Sequence, residues 1–311
     1  MRRWLVSLST GRKVLLGPGM LVGLIALLSV VAPKQPQNTA YKPQNEFKLD
    51  PWISIKVGGV DLSINKGVLY LFLACALTTW AMVYIARRMQ ARPNNVQTAV
   101  EAAYDLSYNN MARGNMDAGM AAKWFPFIGS LFFFIPFSNM IGYLPLPTNT
   151  EHSVHIFGAK VPSLALYAAT ANISVTLILT LVVWFSYHVE GVRAKGPIAY
   201  MKSWIPAGIT GPAAVPLFVI EAISHFVRII SLSVRLFANM LAGHLLILFM
   251  GGGLVVLLNV AVGLAVVLGL VTGALAVAFF LFEVGLVATL QAFIFSTLTA
   301  IYLGGATAEH H

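Results

Sequence analysis

Charge is scarce in this sequence. Charged side chains make up 10% of the 311 residues, against about a quarter in soluble domains. With 58% hydrophobic residues, that shortage excludes an ordinary water-soluble globule and points to a chain that lives in a bilayer. Cysteine occurs once, at Cys75 inside an apolar run, so no intramolecular disulfide staples the fold. Internal repeats and long low-complexity segments are absent. There is no glycine-rich loop of the form G-x-x-x-x-G-K-S/T, so this chain is not expected to hydrolyse ATP alone. His152 and His155 sit in a loop, and Glu309-His310-His311 is too short for a metal site. No metal or cofactor is expected.

What is present is a series of apolar runs near 14–32, 67–86, 124–146, 162–188, 214–250 and 252–303. Each reaches the roughly 20 residues needed to span hydrocarbon. The last two are longer than a perpendicular span requires, so they must tilt, protrude or break. Gly251, Gly252 and Gly253 separate them, and together they read as a helical hairpin at 214–303. The expected fold class is an all-α polytopic membrane protein. Five core segments are joined by an N-terminal extra helix. Residues 1–66 read as that helix and an outer-side loop, and 67–311 as the membrane domain. Ser29-Val-Val-Ala32 has the look of a signal-peptide cleavage site, but Pro33 disfavours cleavage and a retained helix is expected.

The net charge of +9 is not one patch. Lysines and arginines fall in short stretches between apolar runs, where they report topology rather than nucleic-acid binding. Arg2, Arg3, Arg12 and Lys13, then Arg87, Arg88 and Arg92, then Arg193, Lys195 and Lys202 mark the inner side. Both termini are then inside, and loop 147–161 is outside. The five lysines of the 33–66 loop, set against Glu46, Asp50 and Asp61, fit this pattern least well. Residues 94–118 mix Val96, Val100, Ala103, Tyr104 and Met111 with polar residues. They suit an interfacial helix on the inner side or a plain connecting helix.

Between Ser203 and Ala308 only four residues carry a formal charge: Glu221, Arg228, Arg235 and Glu283. A charge at mid-span costs about 2.5–3.5 kcal/mol on insertion scales, so each must face a partner, a bundle interior or water. Glu221, Arg228 and Arg235 are seven apart and share one helix face to within about 40°. Ser231 and Asn239, four residues either side of Arg235, continue that polar stripe. His244 falls about half a revolution from it and looks toward a different surface. Arg228 reads either as part of the stripe or as a cation snorkelling to the inner interface. Glu221 and His225 read either as functional groups or as a local i,i+4 pair. Asn239 and Gln291 could serve only as interhelical hydrogen bonds. Arg235 has no such bland reading, because it lies mid-span and cannot discard its charge.

The run Ser231-Leu-Ser-Val-Arg-Leu-Phe-Ala-Asn-Met-Leu-Ala-Gly-His-Leu-Leu246 resembles subunit a of the F-type ATP synthase, bacterial type. So do Leu290-Gln-Ala-Phe-Ile-Phe-Ser-Thr-Leu-Thr-Ala-Ile-Tyr-Leu303 and, less specifically, Phe137-Ser-Asn-Met-Ile-Gly-Tyr-Leu-Pro145. The resemblance covers most of 67–305. It implies a stator subunit of the bacterial inner membrane that faces a ring of c subunits. Peripheral stalk b subunits would be further partners, with the catalytic head engaged indirectly. It implies that Arg235 is the family's essential arginine, that Asn239 and Gln291 are its polar neighbours, and that Glu221 is the inner-side acid. It also pairs His244 with a glutamate on the last helix. Glu283 is the obvious glutamate, yet it stands eight residues before Gln291 where the family pattern has seven. Val284 takes the expected place, so Glu283 faces the site only if a bulge or rotation restores it.

The implied function is two proton half-channels separated by an arginine barrier, with no catalysis by this chain alone. A secondary transporter in which Arg235 binds an anionic substrate is the rival, and an assembly scaffold is a third reading. Repeats and broken helices, common in transporter folds, are missing here. The topology makes a direct prediction. In a Cys75→Ser background, Arg92→Cys should react with an impermeant maleimide only from the cytoplasmic side, and His155→Cys only from the outer side. The opposite pattern would invert the arrangement.

Overall fold

The computed structural model describes residues 47–57, 60, 61, 63–156, 159–205, 209, 211–253 and 262–308. The apolar run at 14–32 with its Ser29–Ala32 stretch, residues 33–46 of the 33–66 loop and the Glu309–His311 tail lie outside them. Among the described residues, five helices are long and apolar enough to cross a membrane: 66–87, 118–141, 173–195, 211–251 and 265–307. The chain is an all-α polytopic membrane protein, and its strands form only small antiparallel pairs.

The helix starts are set by short polar caps. Helix α1 (Lys66–Arg87) begins where the Asn65 side chain accepts from the Val68 amide at 3.1 Å. Helix α2 (Asn95–Asp105) is capped the same way by Asn94 on Gln97 at 2.8 Å, and runs on as a π turn, Leu106–Ala112. Asp117 accepts from Gly119 and Met120 to start α3 (Ala118–Ile141), six residues before its apolar run at 124. Asn172 caps α4 (Ile173–Lys195). That cap corrects the expected span from 162. Residues Ala159–Ala165 are instead strand β6, paired antiparallel with β5 (Leu146–Ile156). The 147–161 loop is thus part of a β-hairpin, and α4 takes its length from the inner end, to Lys195. Earlier strands β1 to β4 (Pro51–Ile53, Lys56–Val57, Val60–Asp61, Ile64–Asn65) form two short pairs just before α1.

Past α4, Gly196 adopts φ +82°, a left-handed conformation that suits glycine. It leads into the short helix α5 (Pro197–Lys202). Helix α6 spans Ala214–Leu248 and continues into a π turn, Phe249–Gly253. Helix α7 (Val262–Phe282) meets a π turn at Glu283–Val287, and α8 runs from Ala288 to Thr307.

Two compact units emerge. The larger comprises 48–242 with 282–311. In it α8 packs against α3 and α4, and α1 against α3. Ile128, Leu131, Phe132 and Ile135 of α3 meet Val183 and Tyr187 of α4 and Ala292, Phe295, Ala300 and Leu303 of α8. Leu232 and Leu236 of α6 join the same core. Lipid supplies no hydrophobic driving force between helices, so close contact at small residues carries the packing. Gly304 is the extreme case, because a Cβ there would run into the Asn115 carbonyl. Near the start of α3, Lys123 forms an ion pair with the buried Glu190 of α4. Near the hairpin, the Tyr70 hydroxyl donates to the carbonyls of Leu144 and Ala165, and the Thr170 hydroxyl donates to Asn139 at 2.6 Å.

The 94–118 segment divides in two. Val96 and Tyr104 are exposed, whereas Met111, Ala112 and Met116 enter the core. The π turn advances the phase of the helix and swings its second half inward. The first half thus stays at the surface, and the second half is part of the core. The smaller unit holds 243–281. Its α7 bears no charge, and exposes Leu270, Val277 and Leu281, as suits a helix against lipid.

The packing predicts that Gly304→Leu destabilises the chain by about 1–3 kcal/mol through overpacking. Thermal unfolding in detergent should show this as an earlier transition, while Gly305→Ala, at a position with open space around the added Cβ, should leave it nearly unchanged.

Candidate functional site

Helix α6 sorts its side chains by face. Leu232, Leu236 and Met240, at i,i+4 spacing, are buried, as is Ser233. Ser231, Val234, Arg235 and Ala238 are exposed, and Asn239 is half-buried. The apolar stripe holds the helix on the core and turns Arg235 away from it.

The two arginines of α6 have opposite circumstances. Arg228 is satisfied within the chain. Its Nη2 donates to Glu221 Oε1 at 3.0 Å, and Nη1 lies 3.3 Å from His225 Nδ1. Its guanidinium sits over the Tyr302 ring of α8, 5.1 Å from the centroid, a cation–π contact. Among the described residues Arg235 has only a long contact, Nη2 to Ser231 Oγ at 3.4 Å. Among the described residues no carboxylate lies within ion-pair distance of it. An arginine stays ionised, so an exposed, acid-free guanidinium on a spanning helix calls for an anion from outside the chain.

Glu221 and His225 do form the i,i+4 contact the sequence allows, with Nε2 3.7 Å from Oε1. They do more than that. Together with Arg228 they line a cavity of about 470 Å³ closed by Tyr187, Tyr200, Trp204 and Tyr302. Tyr187 Oη is 3.0 Å from His225 Nδ1. The Trp184 indole donates to the His225 carbonyl at 3.1 Å. His188 Nδ1 lies 2.7 Å from the Tyr200 hydroxyl. Burial raises the Tyr200 phenol above its ordinary value. Sequence reading missed Tyr187, His188, Tyr200 and Tyr302. Their only local signal is a cluster of polar-tipped rings near the C-terminal ends of α4 and α8, and their convergence on α6 is a tertiary fact.

Glu283 resolves the off-by-one spacing. It opens the π turn Glu283–Val287, and a π turn inserts one extra residue into an α-helix. Eight residues to Gln291 then count as seven α-helical steps, which leaves the two side chains about 20° apart instead of 80°. Both are buried, as are Ala288 and Ala292 between and beside them, whereas Val284 is only half-buried. Tyr143, in the turn after α3, is also buried, and its phenol is held far above its ordinary value by burial first and by the neighbouring Glu283 carboxyl second. This partner was missed as well, although Tyr143 lies inside the third resembling motif. His244 is buried in the smaller unit. The structure thus brings Glu221, His225 and Arg228 together, leaves Arg235 facing outward beside Ser231, and turns Glu283 and Gln291 to one face of the last helix.

The profile of the family described as "ATP synthase A chain" matches residues 68–304. The chain is 34% identical over 261 residues to the ATP synthase subunit a of Rubrobacter xylanophilus, covering 83% of this chain and 90% of that protein. It is 34% identical over 268 residues to the subunit a of Paramagnetospirillum magneticum, covering 86% and 99%. Against the Brucella suis subunit a the identity is 34% over 276 residues, covering 88% and 100%.

The Tyr143 environment makes a spectroscopic prediction. Alkaline titration followed in the ultraviolet should show the same number of tyrosinates for the parent and for Tyr143→Phe up to about pH 11, a unit above the ordinary phenol value. Fewer tyrosinates in Tyr143→Phe over that range would mean the phenol ionises normally.

Proposed function

The chain belongs to the ATP synthase A chain family, a multi-pass membrane subunit of the ATP synthase, and on that footing we propose that it is the fixed proton-conducting partner of a rotating c-subunit ring. The observation that carries the proposal is the contrast on α6. Arg228 is neutralised by Glu221 inside the chain, whereas Arg235 is presented outward with no acid beside it among the described residues. A ring carboxylate at membrane depth is the anion that fits.

Protons enter from the outer side near His244 and Glu283, with Gln291 on the same helix face as Glu283. They neutralise a carboxylate on the ring, which can then turn through lipid without a charge-burial penalty. At the other side the proton leaves past Glu221 into the cavity edged by His225 and Arg228, and so to the cytoplasm. Arg235, flanked by Ser231 and Asn239, stands between the two routes. Its fixed charge favours the ionised ring carboxylate in front of it and repels protons that would cross directly. Each proton moving through 100 mV carries about 2.3 kcal/mol, which a leak would dissipate. Histidine suits the entrance because its ordinary pKa of about 6.5 allows exchange near neutrality.

The chain has no nucleotide loop, so ATP chemistry falls to the catalytic head, with peripheral b subunits holding this stator against torque. The setting is the bacterial inner membrane, with both termini on the cytoplasmic side.

ATP-driven acidification of inverted membrane vesicles tests this, run with and without sodium so that the carried ion is read in the same assay. Arg235→Ala should abolish pumping. Arg235→Lys should remove most of it, because an ammonium can lose its proton and lacks the planar fork. Gln291→Leu should be milder. Pumping at the parental rate with Arg235→Ala would refute the proposal, and unchanged proton uptake with Glu283→Gln would remove Glu283 from the outer route.

A further inference from the structure

Two cavities flank a single ridge of helix α1. The first, of about 480 Å³, lies between α1 and α3 and is also lined by Tyr104 of α2. The second, of about 730 Å³, is lined by α1 alone. Cys75, Thr79 and Val83 line both. Residues four apart stack along one face of a helix, so these three form the ridge, and Arg87 continues it. Arg87 and Arg88 line the second cavity and are exposed. Among the described residues no carboxylate lies within ion-pair distance of either. The Arg88 guanidinium sits over the Tyr84 ring, 4.4 Å from its centroid, and Tyr84 stacks on Trp80 at 5.4 Å. That column holds the cation in place.

The walls of the first cavity suit hydrocarbon. The Thr78 hydroxyl donates to the Ala74 carbonyl at 2.7 Å, and the Ser130 hydroxyl donates to the Pro126 carbonyl. Both are satisfied on their own helix, so the face they turn to the cavity is apolar. From Cys75 to Arg87 the helix rises about 18 Å, close to the roughly 15 Å of hydrocarbon in one leaflet. Before Cys75, Ala74 and Tyr70 are buried within the chain, so the ridge ends near the middle of α1. A partner helix would need a groove as long as its whole span. This ridge fits an occupant that is one leaflet deep and anionic at one end.

We propose that an anionic two-chain phospholipid straddles the ridge, with one acyl chain in each cavity and its phosphate on Arg87 and Arg88. A guanidinium can meet two phosphate oxygens at once through parallel N–H donors. Arginines at the end of a span are ordinary topology markers. What singles out these two is the pair of cavities that runs up to them along a shared ridge. Seated there, the lipid fills the gap between α1 and α3. The site requires only that α1 crosses the bilayer, and it serves whichever leaflet meets the C-terminal end of that helix.

The experiment is photo-cross-linking in the intact complex, reconstituted into phosphatidylcholine vesicles with a small fraction of phosphatidylglycerol that carries a diazirine on its acyl chains. Adducts on this chain are mapped by mass spectrometry and compared with those of the matching diazirine phosphatidylcholine. Phosphatidylglycerol should label α1 between Cys75 and Val83 and α3 between Phe125 and Phe134 well above phosphatidylcholine, and unlabelled phosphatidylglycerol should compete. Arg87→Gln and Arg88→Gln should each lower this labelling about fivefold, and the double variant should lose more. Gly129→Leu extends into the first cavity, where an added Cβ meets only the Phe125 ring at 3.5 Å. It should remove the α3 adducts and keep those on α1, and Ser130→Leu takes its place if it does not assemble. Equal labelling by the two lipids, or labelling that ignores both arginine substitutions, would overturn the inference. So would α3 adducts that survive the filled cavity, or a ridge that stays unlabelled because a helix of another subunit covers it.

Discussion

A guanidinium at mid-membrane needs an anion, and in this chain the identity of that anion organises the rest. One charged helix could have satisfied both of its arginines internally. Instead α6 holds a single carboxylate, Glu221, and Arg228 takes it. The apolar ridge of Leu232, Leu236 and Met240 fixes the rotation of the helix, and that rotation leaves Arg235 on the outer flank. In the proposed assembly, the ring brings an acid to meet this charge. An isolated chain would hold a costly exposed cation in lipid. On the proposed reading, the charge binds a partner and also bars protons.

The remaining polar groups are arranged around that division. The inner cluster is aromatic and self-sufficient. Tyrosines and tryptophans from three other helices supply donors and ring faces to Glu221, His225 and Arg228 without adding a net charge. The last helix uses backbone geometry to the same end. The π turn at Glu283 sets one carboxyl in phase with Gln291. Both devices depend on close helix contacts, at Gly304 against the 106–116 segment and at the alanines of α8 against α3. Small residues at these contacts hold the polar groups at fixed distances.

Much of this was legible in the sequence, and what was not has identifiable physical reasons. Apolar run lengths located the core spans, and the seven-residue spacing put Glu221, Arg228 and Arg235 on one helix. Run length misplaced the start of α4, because a β-hairpin of moderately apolar residues is indistinguishable by hydropathy from the beginning of a span. The cap at Asn172 was the signal that could have corrected it. The spacing of Glu283 exposed a discrepancy and named its remedy, but a π turn follows from the fit of a whole helix against its neighbours and not from five residues. The partners Tyr143, Tyr187, Tyr200 and Tyr302 were out of reach for the same reason. Periodicity gives the face of a helix but not the helix that face meets. The outward turn of Arg235 was likewise only one of the three options that its charge allowed.

The central claim is that the exposed flank of α6 faces a ring of partner helices that carry the missing acid. Disulfide mapping in the intact complex tests it most directly. In a Cys75→Ser background, Ala238→Cys on the exposed flank should cross-link to a cysteine placed beside the ring carboxylate, while Leu232→Cys on the buried ridge should not. Failure of Ala238→Cys to reach the ring, with Leu232→Cys reaching it instead, would mean that Arg235 faces the interior of its own chain, and the account of the arginine as a barrier between two proton routes would be wrong.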